Sequence, residues 1–192
     1  MSDAAVITRR RTGHRTRWIA LSFLVVLVGF GVVLAVQHRT EASVPRLVQE
    51  HKPAPVFDLT TLDSQHISSH SLVGKTYVVN FWNSWCIPCQ QEEPALQQFY
   101  AAHSSEADFA MIGIVRDDDS TSIRNYVAAN AIKWPVALDA SGNAELGFGT
   151  TGQPETYVIS PTGVAACGSL GPVTDADLEA WLAVARAGGV CG

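Results

Sequence analysis

The stretch YVVNFWNSWCIPC, residues 77–89, decides how this chain arranges its chemistry. It begins with an apolar run from Tyr77 to Trp82, which is typical of a buried strand. Two cysteines separated by two residues follow, directly before a stretch with helical spacing. Backbone N–H groups at a helix start carry partial positive charge and can lower a thiol pKa from about 8.5 to roughly 3.5–7.5. The pattern predicts that Cys86 attacks a disulfide and that Cys89 resolves the mixed disulfide.

A CxxC pair can instead be half of a zinc site, which needs two further cysteine or histidine ligands at short spacing. The other cysteines, Cys167 and Cys191, lie 24 residues apart, and the six histidines form no cluster. The acidic triplet at residues 117–119 is typical of a solvated loop. We therefore predict redox chemistry at the CxxC pair, with no metal and no other cofactor.

The N-terminal part of the chain predicts a membrane anchor. Residues 18–36 (WIALSFLVVLVGFGVVLAV) are 19 residues without a charge, close to the roughly 20 that cross a bilayer as a helix. Five arginines precede this segment, and such positive charge tends to stay in the cytoplasm. We expect residues 1–17 to form a cytoplasmic tail, 18–36 a single transmembrane helix, 37–53 a linker, and 54–192 a domain outside the cytoplasm. A cleaved signal peptide is the alternative, although its apolar region usually spans only about 7–15 residues.

Export changes how charge and cysteines are interpreted. Residues 1–37 carry five arginines and one aspartate, so 8 basic and 17 acidic residues remain, a formal charge of −9. Such an acidic domain is not expected to bind nucleic acid.

Disulfides persist outside the cytoplasm, which favours a structural bridge between Cys167 and Cys191. The alternative is a free buried thiol at Cys167 and an unpaired cysteine in the tail.

The remaining residues alternate between predicted strands and helices, which indicates parallel pairing with helices on both faces of a sheet. Pro94 is expected to kink the helix after Cys89 without ending it. The other predicted elements are a hairpin between Phe57 and Leu72, strands at 109–115 and 134–138, a helix from Ser120 with Ala131 on its inner side, a hairpin of 156–160 with 164–168, and a helix capped by Thr174.

With these elements in place, the chain resembles the thioredoxin superfamily, and within it the membrane-anchored TlpA/ResA/DsbE (CcmG) group. The resemblance covers about residues 53–185 and implies an α/β fold with a central mixed sheet, helices on both faces and an inserted helix before the third core strand. Four stretches carry it: APVF (54–57), NFWNSWCIPC (80–89), the segment from Gly113 to Asp118, and GQPET (152–156).

The resemblance also implies substrate-binding residues. Pro154 would be the cis-proline that faces the thiol pair, and a cis X-Pro bond presents the preceding backbone sideways. Gln153 would then hydrogen-bond an extended substrate peptide as a short added strand. Trp85 would offer a flat surface to that substrate.

Two further positions distinguish this branch of the superfamily. Asn80 stands where thioredoxin has a buried acid, and it cannot exchange a proton. Glu92, three residues after Cys89, matches a glutamate that this group places near its thiols. A buried carboxylate there would raise the thiol pKa values and act as an acid/base. Neighbouring Glu93 is expected to be a solvated helix residue.

These expectations describe an anchored thiol:disulfide oxidoreductase acting on disulfide-containing proteins. The resemblance favours a reductase that keeps apocytochrome c reduced during cytochrome c maturation and is recharged by a membrane electron donor of the CcdA or DsbD type. An oxidase that donates disulfides to exported proteins would carry the same residues. A non-catalytic copper or haem chaperone is less favoured, because such copper chaperones use a distant histidine and none follows His103.

Overall fold

The computed structural model describes residues 14–37 and 52–191. The chain divides into two units, residues 1–42 and 43–192. Helix α1 (His14–Gln37) belongs to the first unit. Among the described residues, no helix meets the length and hydropathy required to cross a bilayer. The transmembrane helix at 18–36 stays a prediction, and most of the predicted tail and linker (residues 1–13 and 38–51) lies outside the described residues.

The second unit is built on one mixed sheet. Its strands are β1 (Asp58–Thr61), β2 (His66–Ser68), β3 (Thr76–Phe81), β4 (Phe109–Val115), β5 (Val136–Leu138), β6 (Glu155–Ile159) and β7 (Ala165–Leu170). Their order across the sheet is β2-β1-β5-β4-β3-β6-β7. Strands β3, β4 and β5 pair in parallel, whereas the pairs β1–β2, β1–β5, β3–β6 and β6–β7 are antiparallel.

Helices cover both faces of this sheet, as the sequence predicts. They are α2 (Ile87–His103), α3 (Ser120–Ala129), α4 (Asn143–Phe148) and α5 (Asp175–Arg186), with a 3-10 turn at Ser69–Leu72. Successive residues of a strand point to opposite faces, so Val78 joins the core under α2, α3 and α5, whereas Val79 joins the core on the α4 side. All six residues of β3 are buried, which explains its continuous apolar run.

Several element boundaries differ from the sequence prediction. Helix α3 ends at Ala129, and Ala131, expected on its inner side, has a left-handed φ of 54°. Strand β5 begins only at Val136, because Pro135 lacks the N–H that a ladder needs. Helix α4 was not predicted; it is six residues long and lies between two left-handed glycines, Gly142 and Gly149. Helix α2 continues through Pro94.

Candidate active site

The thiol pair lies at the start of α2, one short turn after β3. Cys86 is the N-cap residue of α2, and its Sγ accepts a hydrogen bond from the Cys89 backbone N–H at 3.3 Å. Cys86 and Cys89 form a disulfide. Pro88 lies in the first helical turn, where a missing N–H costs no hydrogen bond. Cys86 is 5% exposed and Cys89 is 4% exposed, so the disulfide form shields both cysteines. The family resemblance implies instead an exposed Cys86 nucleophile and a buried Cys89.

The loop between β4 and α3 holds the turn before the thiols. Asp118 accepts a hydrogen bond from the Ser84 backbone N–H at 2.6 Å. The indole N–H of Trp85 donates to the Asp117 carbonyl at 3.3 Å. The side chains of Trp85 and Ile87 nevertheless remain exposed. The acidic segment predicted to be a solvated loop therefore also positions the active-site turn, and Trp85 presents an anchored aromatic surface beside the disulfide.

Glu92 lies on the inner side of α2, one helical turn after Cys89. It is only 2% exposed. Its Oε1 accepts from Asn80 Nδ2 at 2.8 Å, and its Oε2 accepts from the Val173 backbone N–H at 3.1 Å. Burial raises the pKa of Glu92 to about 7, and these two hydrogen bonds oppose that rise. A carboxyl with this pKa exchanges its proton near neutral pH, as an acid/base group requires.

Asn80 connects the carboxyl to the centre of the sheet. Besides Glu92, its Nδ2 donates to Thr156 Oγ1 at 2.9 Å. Asn80 and Thr156 are register partners on β3 and β6, so the amide links two strands and α2 beneath the thiol pair. The position where thioredoxin carries its buried acid is therefore occupied here by a group that orients a different acid.

Glu93 was expected to be solvated, and this expectation is wrong. The residue is only 9% exposed, and it accepts a hydrogen bond from the Tyr126 hydroxyl at 2.9 Å and another from Gln97. The physical reason is that α3 packs over this side of α2 and brings Tyr126 against it. The spacing from Cys89 to Glu93, four residues along a helix, was the sequence signal that both side chains share one face.

Gln153 and Pro154 lie at the same end of the sheet as the thiols. In the β3–β6 pair Phe81 is opposite Glu155, so the two residues before β6 lie level with the segment that leads to Cys86. The Gln153–Pro154 bond is cis. The Asn83 side chain donates from Nδ2 to Gln153 Oε1 at 2.9 Å, which ties the loop before β6 to the active-site turn.

The second cysteine pair is remote from this chemistry along the chain and forms its own disulfide. Cys167 lies in β7 and Cys191 follows α5, with their Cα atoms 5.1 Å apart. The Cys191 N–H also donates to the Ala166 carbonyl at 2.8 Å. The C-terminal segment is thereby fastened to the sheet. Over residues 14–37 and 52–191, no group of three or more His, Cys, Asp or Glu side chains is arranged to hold a metal ion.

This arrangement of sheet and helices is a thioredoxin-like fold, and a CxxC disulfide at the start of its helix places the chain among the thiol-disulfide oxidoreductases. A sequence profile of the AhpC/TSA family matches residues 51–166, and the chain belongs to this family. The thioredoxin-like α/β fold of the second unit and the enzyme class predicted from the sequence are thereby confirmed.

Relatives with known names agree with this class. Thiol-disulfide oxidoreductase ResA of Bacillus thuringiensis (strain Al Hakam) is 30% identical over 135 residues, which are 70% of this chain and 78% of the relative. The structure of a thioredoxin-family thiol:disulfide interchange protein from Chlorobium tepidum TLS is 32% identical, with a TM-score of 0.62 over 70% of this chain and 95% of that one. A secreted Mycobacterium tuberculosis disulfide oxidoreductase homologous to E. coli DsbE is 25% identical, with a TM-score of 0.60 over 66% and 94% of the two chains.

Proposed function

We propose that this enzyme is a membrane-anchored reductase that opens disulfides in exported proteins, with apocytochrome c among its substrates. In each cycle the Cys86 thiolate attacks a substrate disulfide and releases the first substrate thiol. The Cys89 sulfur then attacks Cys86 and releases the second. Two electrons pass from the cysteine pair to the substrate, and the Cys86–Cys89 disulfide remains. A membrane donor of the CcdA or DsbD type returns the two electrons.

The observation that carries the reductive direction is the buried carboxyl of Glu92 near Cys89. An ionised carboxylate beside two thiols disfavours their thiolate forms. A dithiol protein becomes a strong oxidant when its reduced form is stabilised, as in DsbA. Glu92 acts in the opposite sense, because it makes the reduced, ionised pair less stable and so favours giving electrons away. Its pKa of about 7 also suits it to take the Cys89 proton and return it to the leaving thiolate.

Location outside the cytoplasm is supported by sequence features. Residues 18–36 are uncharged and follow five arginines, a pattern that keeps the N-terminus in the cytoplasm. The M. tuberculosis relative is described as secreted. The second disulfide, between Cys167 and Cys191, suits an oxidising compartment. This placement can be tested by fusing to the C-terminus a reporter enzyme that is active only outside the cytoplasm. An active fusion supports the placement, and an inactive fusion contradicts it.

The reduction potential of the Cys86–Cys89 pair tests the direction. Equilibration with dithiothreitol or glutathione buffers is expected to give a value near that of thioredoxin, about −270 mV. A value near that of DsbA, about −120 mV, would overturn the reductase and support the disulfide-donating alternative. The Cys86→Ser protein is the matched control and is expected to show no exchange.

The cytochrome substrate needs its own measurement. The rate at which the reduced enzyme opens an oxidised CxxCH peptide is compared with the rate for a CxxC peptide that lacks the histidine. A faster reaction with the CxxCH peptide supports apocytochrome c as a preferred substrate. Equal rates would contradict apocytochrome c as a preferred substrate. They would remain consistent with general reduction of disulfides in exported proteins.

A further inference from the structure

A small cavity lies directly behind Cys89. Its volume is about 10 Å³, close to the space that one water molecule occupies in a protein interior. Its lining includes Cys89, Glu93, Tyr126 and the two tryptophans Trp82 and Trp134. The cavity therefore touches the resolving cysteine, a buried carboxyl and two indole rings at once.

Both tryptophans that line this cavity carry a buried hydrogen-bond donor. Among the described residues, nothing accepts from the buried indole N–H of Trp82 or of Trp134. The two Nε1 atoms converge over Gly113, since a Cβ added there would lie 2.6 Å from the first and 3.3 Å from the second. Buried donors normally have partners, and ordered water is the usual one where protein atoms supply none. One water oxygen has two lone pairs, enough for both indoles.

Glu93 supplies an ionisable side chain to the lining of the cavity. It follows Cys89 by four residues on α2, a spacing that makes helical side chains neighbours. The Tyr126 hydroxyl donates to Glu93 at 2.9 Å. Burial, and then the hydrogen bond to Glu93, raise the pKa of Tyr126. The phenol therefore keeps its proton and orients the carboxyl without competing for the proton of a thiol.

We propose that this cavity holds one water molecule, bound by the indole N–H groups of Trp82 and Trp134, and that the water connects the Cys89 thiol with the Glu93 carboxyl. Glu93 is then a second residue, beside Glu92, that positions the proton of the resolving cysteine. It has this role only if Cys89 resolves the mixed disulfide, as in the proposed function.

The resolution step balances with these groups alone. The Cys89 sulfur attacks Cys86, the Cys86–Cys89 bond forms, and the bond from Cys86 to the substrate breaks. The substrate leaves as a thiolate with the electron pair of the broken bond. The Cys89 proton passes to the Glu92 carboxylate and from there to the departing thiolate, as in the proposed function. Because both lone pairs of the water accept from the indoles, the water donates one O–H to the Cys89 sulfur and the other to the Glu93 carboxylate.

Glu92, the other carboxyl near Cys89, does not line this cavity. Glu92 is held by Asn80 and Val173. The residues of β3 and of the segment before β5 that line the cavity include no acidic or basic side chain among those described. Lys133, next to Trp134 in sequence, is exposed. Glu93 and Tyr126 are thus the ionisable groups that face Cys89 across the cavity.

The test is the titration of Cys89 in the full-length Cys86→Ser protein in detergent, with the second disulfide intact. The ¹³C chemical shift of Cys89 Cβ reports its ionisation whether or not a reagent can reach it. Adding Glu93→Gln is expected to lower the titration midpoint by roughly one pH unit, because a like charge is removed at close range. Asp63→Asn, which removes an exposed charge, is the control and is expected to leave the midpoint unchanged. An unchanged midpoint in the Glu93→Gln protein overturns the role of Glu93.

Trp134→Phe tests the water itself and leaves both carboxyls in place. It is expected to raise the Cys89 midpoint, because the thiolate loses a hydrogen bond from the displaced water. In a double-mutant cycle with Glu93→Gln, a shared water predicts shifts that do not add. Fully additive shifts overturn the water link. The reductase proposal fails separately, through the reduction potential of the unmodified protein, which none of these titrations measures.

Discussion

Replacing Glu92 by glutamine is expected to change how stability depends on pH. Folding raises the pKa of this carboxyl from its ordinary 4.5 to about 7. Between these values the folded protein keeps a proton that the unfolded chain has lost, so stability falls as pH rises from about 4.5 to 7. A rise of about 2.5 pH units corresponds to about 3 kcal/mol of unfolding free energy. Glu92→Gln removes this loss because glutamine does not ionise.

The assay is urea unfolding of the oxidised unit, residues 43–192, at about pH 5 and pH 8. In the oxidised protein the thiols do not titrate, so their ionisation does not enter the comparison. The variant is expected to equal or fall below the wild type at the lower pH, since the glutamine NH₂ cannot accept from Asn80 or Val173. Between the lower and the higher pH the wild type should lose about 3 kcal/mol of unfolding free energy that the variant keeps. Relative to the wild type, the variant should therefore be more stable at about pH 8 than at about pH 5 by most of that amount.

The result that would refute this reasoning is the same pH dependence in both proteins. Such parallel curves would mean that Glu92 ionises at its ordinary pKa and is accessible to water. Asp63→Asn is the matched control, because it removes an exposed acid and keeps an oxygen that can accept from Thr61. Its curve should follow that of the wild type.

Three further perturbations have defined outcomes. Replacing both Cys167 and Cys191 by serine should destabilise the domain by about 3 kcal/mol in urea, as expected for a closed loop of 24 residues, and an unchanged midpoint would contradict a structural role. Asp118→Ala removes the charged acceptor of the Ser84 N–H from the active-site turn. It should slow peptide-disulfide reduction about tenfold with little change in fold. An unchanged kcat/KM would disprove the positioning role of Asp118. Gly113→Ala places a Cβ 2.6 Å from the Trp82 indole nitrogen and should cost about 1–3 kcal/mol of stability by overpacking; calorimetry showing no loss would contradict that close packing.

Local signals in the sequence were enough for most of the scaffold. The continuous apolar run before the thiols matched β3, and the run at 109–115 matched β4 residue for residue. Thr174 caps α5 as predicted, and with Asp177 it forms a capping box in which each side chain is bonded to the other's backbone N–H. Such features depend on residues close together in the chain, where spacing and residue type decide the structure.

Other elements carry weak local signals. Helix α4 has only six residues, and its start is fixed by Asp139, which accepts the Glu145 backbone N–H at 2.9 Å after a left-handed glycine. Nothing in a six-residue window separates such a turn of helix from a loop. The burial of Glu93 likewise depends on Tyr126, 33 residues further on.

The sequence by itself determined the reactive cysteine pair, the order of the strands and of the helices other than α4, and the acidic residue three positions after Cys89. It also predicts the anchor at residues 18–36. Only the tertiary structure decided what each acid can do. Burial in the surrounding core raises the pKa of Glu92 to about 7, against the opposing hydrogen bonds from Asn80 and Val173. Tyr126 and two indoles enclose Glu93 beside a water-sized cavity. The physical reason is that a carboxyl's proton affinity depends on burial and on hydrogen-bond partners, and those partners come from distant parts of the chain.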